Sequence, residues 1–198
     1  MTGWTRVAVG RLDDLPPSGL DSAEGMPPWR AREHLAGRAL LRGLLRRHTG
    51  RGDDAIAVEP SGRPHLPDRP EVGISVSHSS GLVAAAIGLG CPVGVDVERP
   101  APVDRAVLRR CCAPDAVAVL DRLPADRRAR EFTRIWTVQE ACVKALGLGL
   151  AGRPWTVPVA PGQHRGRWRG LRWVSWPDRW AAPVSCAFGP PAEEGMRR

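Results

Sequence analysis

Between residues 73 and 98 the chain runs through three strand-like segments with no room for a helix between them. Gly73-Ile74-Ser75-Val76-Ser77-His78-Ser79 alternates apolar and small polar residues, the period of a strand with one covered face. Ser80-Gly81 is a turn signal, and the run from Leu82 to Leu89 is apolar enough for a buried strand, so the two read as a hairpin. Gly90-Cys91-Pro92 turns the chain again into Val93-Gly94-Val95-Asp96-Val97-Glu98, a third strand closed by Pro100. Segments of helical period lie on both sides. Leu35, Ala39, Leu41, Leu44 and Leu45 place a helix over residues 29–48, with Arg32, Arg38, Arg42, Arg46 and Arg47 on its other faces. Phe132, Ile135, Trp136, Val143 and Leu146 place a second over 129–146.

The remaining segments fill in an α+β architecture. Trp4 to Val9 reads as a strand, residues 59–70 as a Pro/Gly loop, and 100–128 as short helices broken by proline. From 153 onward the chain is strand-like and rich in tryptophan, and the last nine residues read as a frayed tail. Each half runs helix, loop, strands, and the small-residue apolar strand before Gly88 has an echo before Gly189. This predicts two similar α/β halves related by a pseudo-twofold axis, divided as residues 1–99 and 100–198.

Composition bounds the class. At 198 residues and 42% hydrophobic content the chain can bury a core of its own, and no stretch is long and apolar enough to span a bilayer. The N-terminus lacks the basic-then-apolar profile of a signal peptide, so the expected location is the cytoplasm, without a membrane. Cys91, Cys111, Cys112, Cys142 and Cys186 are odd in number and lack C-x-x-C spacing, which predicts reduced thiols rather than disulfides or a zinc site. A formal net charge of +8 implies an acidic partner. Of 29 basic residues only Lys144 is a lysine. Arginine stays charged at any physiological pH, whereas lysine gives up a proton once its site lowers its pKa.

Asp96 and Glu98, two apart on one strand, leave the same face of a valine-rich run. Two such carboxylates repel unless a cation stands between them. A magnesium ion is a natural candidate, because it takes oxygen ligands and needs one or two carboxylates plus substrate phosphates. The alternative is a solvent-facing edge with Arg99 as counter-ion. Trp136, Glu140 and Lys144 are spaced i, i+4, i+8 and share a helix face. If that face looks at the strand, three carboxylates, a metal and a lysine make a phosphate-handling site. The alternative there is an ordinary Glu140–Lys144 surface pair.

These segments resemble the 4'-phosphopantetheinyl transferases. Gly94-Val95-Asp96-Val97-Glu98 is similar to the family's G-[IV]-D-[IV]-E motif. Trp136-Thr137-Val138-Gln139-Glu140-Ala141-Cys142-Val143-Lys144-Ala145 resembles W-x-x-K-E-[AS]-x-x-K-[AL], followed by Gly147-Leu148-Gly149-Leu150 for G-x-G-L. Ser77-His78-Ser79 and Gly62-Arg63-Pro64 stand where the family has S-H-S and G-[KR]-P. The order is the family's, from about Trp29 to Trp155, and the length fits the larger, two-halved, surfactin-activating type, which predicts a monomer.

The resemblance implies an enzyme that moves 4'-phosphopantetheine from coenzyme A to a serine of an acyl or peptidyl carrier protein. It implies Asp96, Glu98 and Glu140 as ligands of magnesium, with manganese as the alternative ion. Glu140 doubles as the base, and Lys144 assists the departing 3',5'-ADP. Arg63, Ser77 and His78 hold the nucleotide end of coenzyme A, with Arg32 and Arg38 as further phosphate contacts. Read without the family, His78 is a satisfied strand histidine, Arg63 a solvated loop residue, and Arg32 and Arg38 the polar face of an amphipathic helix. The departure is Gln139, where the family commonly has a phosphate-contacting lysine; a glutamine brings a hydrogen bond and no charge.

Two other readings compete. His164-Arg165-Gly166-Arg167-Trp168-Arg169-Gly170-Leu171-Arg172-Trp173 interleaves cations and tryptophans as a single-stranded nucleic-acid-binding module does. It leaves Asp96 and Glu98 unexplained, so no nucleic-acid partner is expected. A coenzyme A acyltransferase is the third reading, and it needs no metal.

Overall fold

The computed structural model describes residues 4–189, apart from the side chain of Leu150. The tail expected over the last nine residues lies outside them. The order of elements is β1 (Trp4–Arg11), α1 (Pro28–Thr49), β2 (Ala57–Val58), β3 (Pro64–His65), β4 (Val72–Ser79), β5 (Leu82–Leu89), β6 (Val93–Val97), α2 (Arg105–Cys111), α3 (Pro114–Asp121), α4 (Ala125–Ala145), β7 (Arg165–Trp168), β8 (Leu171–Trp176) and β9 (Val184–Phe188).

Two antiparallel sheets each carry one long helix. β5 is the centre of the order β1-β5-β4, and β9 lies inside the order β6-β9-β8-β7. β4 and β5 are the hairpin expected from sequence, in register from Val72 opposite Leu89 to Ser79 opposite Leu82. The expected Pro/Gly loop at 59–70 holds one more pairing, the two-residue ribbon of β2 and β3. α1 packs its leucines, Leu41, Leu44 and Leu45, on Ile74, Ala85 and Ile87 of the first sheet. α4 packs Ile135, Val138 and Ala141 with Trp173 and Ala187 of the second. A third cluster joins the sheets, with Ala84 and Ala86 of β5 against Val93, Val95 and Val97 of β6 and Val184 and Cys186 of β9.

Both helices are set by proline and glycine. α1 opens on Pro27 and Pro28, whose missing N–H groups cost nothing in a first turn, and closes on Gly50 at φ 76°, where a side chain would be strained. α4 begins four residues earlier than its apolar period indicates, because Pro124 sets its entry.

The arginines of α1 are not all on a solvated face. Arg38 and Arg42 are buried. Arg42 is affordable there because its donors are matched: Nε and Nη2 donate to Asp21 at 2.7 and 3.0 Å, and Nη1 to the carbonyls of Gly52 and Asp54 at 3.0 and 2.9 Å. Burial of aliphatic side chains explains the leucine stripe, but charge matching explains the burial of Arg42, which periodicity alone cannot distinguish from a wet position.

β6 belongs to both halves. Its ladder runs to β9, Val93 opposite Phe188 through Val97 opposite Val184. Its other edge meets side chains instead of a strand backbone. The hydroxyls of Ser75, Ser77 and Ser79 on β4 accept the N–H groups of Val95, Val97 and Arg99 at 3.0, 3.4 and 3.1 Å. The alternating serines of β4 thus finish an edge that would otherwise expose a row of unpaired donors.

Candidate functional site

β6 and α4 approach so closely that Gly94 is obligatory. A Cβ there would stand 2.1 Å from the Ala141 carbonyl oxygen and 2.4 Å from the Ala145 nitrogen. The contact brings the last turns of α4 over the carboxylate end of β6. Most of α4 is buried, and the half-buried stripe of Trp136, Glu140 and Lys144 faces Asp96 and Glu98 across a cavity of about 270 Å³ that Ser77 and His78 also line.

Lys144 supplies a positive charge to one of the two strand carboxylates, Asp96. Its Nζ donates to Asp96 Oδ1 at 2.6 Å, Ser77 Oγ at 3.1 Å and the Val95 carbonyl at 3.4 Å. Ser77 Oγ also donates to Asp96 Oδ1, at 2.7 Å. Ser79 Oγ donates to Glu98 Oε1. Asp96 is 5% exposed, so its charge is held by the lysine and the serine rather than by water. Arg99, the counter-ion of the solvent-edge alternative, instead donates its Nε to the Ser80 carbonyl at 2.7 Å.

Glu140 has no such support. Its Oε1 is buried without a hydrogen-bond partner. Burial pushes its carboxyl above the ordinary range, Asp96 and Glu98 push the same way, and Lys144 pulls it partly back. A partnerless carboxylate oxygen beside two more carboxylates is a place where a hard cation relieves both desolvation and repulsion. The donor set therefore fits magnesium. The fit is one of donor chemistry: among the described residues, no three acidic, histidine or cysteine side chains stand close enough together to hold a metal ion as they are placed.

The other expected site residues divide. His78 is half-exposed at the cavity mouth, with Nδ1 3.1 Å from Glu33 Oε2. Arg63 lines an adjoining cavity of about 240 Å³, whose wall also contains Glu140 and Lys144. Arg32 and Arg38 line neither cavity. Arg32 is exposed and paired with Asp13 at 2.7 Å. Arg38 is buried, its Nη1 is unpartnered, and desolvation lowers its pKa, with Asp21 acting against the shift.

Gln139 points away from the cavity. It is 1% exposed, and its Nε2 donates to the carbonyls of Cys111 and Val157 at 2.7 and 3.2 Å. The position is a core bracket between α4, the end of α2 and the 154–157 turn, so a phosphate contact does not arise from this side chain. Cys142 is fully buried, and burial pushes its thiol up to about 12, which leaves no thiolate for nucleophilic work. In the arginine-rich hairpin Trp173 is 1% exposed and turned into the core, while the neighbouring Arg172 is exposed. The tryptophan is not a free stacking platform.

Ser75 and Glu33 are site neighbours that sequence reasoning did not single out, and Ser79 was named only as the end of the S-H-S segment, without a role. The serines had a visible signal, their i, i+2, i+4 spacing on β4, but only the approach of β6 gives it meaning.

Residues 18–88 match the family model described as the 4'-phosphopantetheinyl transferase N-terminal domain, and residues 92–182 that of the 4'-phosphopantetheinyl transferase superfamily. The junction falls at the turn before β6. Among known proteins, the chain is 34% identical over 131 residues to the 4'-phosphopantetheinyl transferase HetI of Nostoc sp., covering 63% of this chain and 55% of that protein. It is 26% identical to the 4'-phosphopantetheinyl transferase Sfp of Bacillus subtilis, over 61% of this chain and 54% of Sfp. It is 30% identical over 158 residues to the 4'-phosphopantetheinyl transferase AcpT of Escherichia coli O157:H7, covering 77% and 76% of the two chains. The match spans about half the length of HetI and Sfp and three quarters of AcpT.

Proposed function

The chain belongs to the 4'-phosphopantetheinyl transferase superfamily, and on that premise we propose that it transfers 4'-phosphopantetheine from coenzyme A to a serine hydroxyl of an apo acyl or peptidyl carrier protein, releasing 3',5'-ADP. The observation that carries the proposal is the convergence of Asp96, Glu98, Glu140 and Lys144 on one cavity from β6 and α4.

Asp96, Glu98 and Glu140 are the residues that would hold magnesium, or manganese in its place. An ion held by them would supply positive charge to the pyrophosphate oxygens of coenzyme A. Glu140 takes the proton of the carrier serine; burial and two neighbouring carboxylates raise its basicity toward that task. Lys144 offers a compact ammonium, already donating three ways inside the cavity, to the leaving 3',5'-ADP. Arg63, at the adjoining cavity, and Ser77 and His78 orient the nucleotide end. Arg32, paired with Asp13, and the buried Arg38 line neither cavity, so they would reach a phosphate only where coenzyme A extends past both cavities along α1.

The carrier is expected to be acidic, which suits a net charge of +8, and the protein to act as a cytoplasmic monomer. No helix among the described residues is long and apolar enough to cross a membrane.

The test is a mass measurement on a panel of apo carriers incubated with the protein, coenzyme A and magnesium. A carrier heavier by one phosphopantetheine group supports the reading; no gain on any carrier rejects it. Asp96→Ala and Glu140→Ala are expected to fold and to lose transfer by more than the roughly 100-fold that loss of an outer-shell partner costs.

A further inference from the structure

Glu98 lies one residue beyond the last ladder pair of β6, which ends with Val97 opposite Val184. Its own N–H makes only a long 3.4 Å contact to the Pro183 carbonyl. A carboxylate on a segment leaving its sheet needs something else to aim it. Ser79, the last residue of β4 and 7% exposed, stands at that point. Its hydroxyl has one proton to donate, and that proton goes to Glu98 Oε1. Ser79 Oγ in turn accepts the Arg99 N–H at 3.1 Å, so one side chain grips the carboxylate and the backbone beside it.

The serine is itself fixed. It precedes a tight turn in which Ser80 and Gly81 both have positive φ, 44° and 81°. The Arg99 guanidinium closes on that turn through Nε to the Ser80 carbonyl at 2.7 Å. Ser77 makes the corresponding bond to Asp96 but is shared with Lys144. Among the described residues, the Ser79 hydroxyl bonds to Glu98 and the Arg99 N–H and to no cationic side chain.

We propose that Ser79 is a positioning residue for the metal site. By engaging Oε1 of Glu98, which lines the cavity shared with Asp96 and Glu140, it holds the carboxylate there and leaves Oε2 for the ion. The inference rests on the function proposed above, since it assigns Glu98 to the ion. Outer-shell partners of metal-ligating carboxylates orient them in the same way, and their loss typically costs about 10–100-fold in affinity or activity.

The test measures Mn²⁺ binding directly, by the loss of the free-ion electron paramagnetic resonance signal, with coenzyme A present and no carrier. Ser79→Ala is expected to weaken Mn²⁺ binding by about 10–100-fold, and Ser79→Thr, which keeps the hydroxyl, to restore most of it. In transfer assays the magnesium concentration for half-maximal rate rises in Ser79→Ala while the rate at saturating magnesium changes much less, a split that a general loss of structure does not give. Should Ser79→Ala fail to fold, Ser79→Cys keeps the volume with a weak donor and is expected to show the same loss. Wild-type affinity in a folded Ser79→Ala or Ser79→Cys protein, alongside wild-type protein that binds Mn²⁺ and modifies a carrier, overturns this proposal alone. Wild-type protein that neither binds Mn²⁺ nor modifies a carrier overturns both.

Discussion

At the scale of single residues, the cavity is a charge balance held together by a lysine in an arginine-rich chain. Asp96 is buried and stabilised by a compact ammonium, while Glu140 is left short of partners. Arginine cannot replace that lysine in kind, because its fork is larger and stays charged through any proton transfer. Lys144→Arg is expected to keep the pair with Asp96 and to lower carrier transfer by about 100-fold or more, read as turnover at saturating coenzyme A. Unchanged turnover means that charge alone is needed. Glu140 contributes to stability in the opposite sense from a paired carboxylate. Its folded pKa is raised, so the folded protein keeps a proton that the unfolded chain releases. That contribution is complete below the unfolded pKa and is lost as pH rises through the folded one. In metal-free buffer Glu140→Gln is therefore expected to melt a few degrees above wild type at neutral pH, with the gap closing toward about pH 4. A gap that widens as pH falls contradicts the assignment. The site then carries a cost in stability that serves its chemistry.

At the scale of elements, the decisive contact is β6 against α4. Gly94 sits where a methyl group meets two backbone atoms of the helix, which cannot rotate away as a side chain does. Gly94→Ala is expected to destabilise by about 1–3 kcal/mol in urea denaturation, at the upper end if α4 cannot shift, and to reduce transfer by moving Glu140 and Lys144 off β6. A variant as stable and active as wild type rules out the close approach. Gln139 fixes another side of the same helix, donating to the carbonyls of Cys111 at the end of α2 and of Val157 after the 154–156 turn. One helix thus carries a core bracket at 139 and a candidate metal ligand at 140, one residue and about 100° of helix rotation apart.

At the scale of the whole molecule, the two sheets share one interior. The apolar side of β5 packs against β6 and β9, and the serines of β4 finish the open edge of β6. Separating the halves exposes that cluster and breaks those bonds together. Unfolding is expected to be one cooperative transition, with coincident midpoints by far-ultraviolet circular dichroism and tryptophan fluorescence. Two resolved transitions require that the halves fold independently.

Periodicity and turn residues determined much of this protein. The β4–β5 hairpin, the long helices, the strand with Asp96 and Glu98, and the Trp136-Glu140-Lys144 stripe were legible because neighbours in sequence fix strand alternation and helical faces. The motifs and their order were legible through their resemblance to those of the family, not through periodicity. The partners of those faces were decided only in three dimensions. Arg38 and Arg42 have the spacing of a solvated stripe, yet the arrival of Asp21 and the 52–54 carbonyls makes burial of Arg42 favourable. Gln139 aligns with a phosphate-binding position, yet the packing of α2 turns its amide into the core. The serines of β4 look like small strand residues until β6 lies beside them. Local pattern sets which residues share a face; what the face meets depends on contacts between segments far apart in the chain, and these decide which charges are paired and which oxygen of Glu140 is left free.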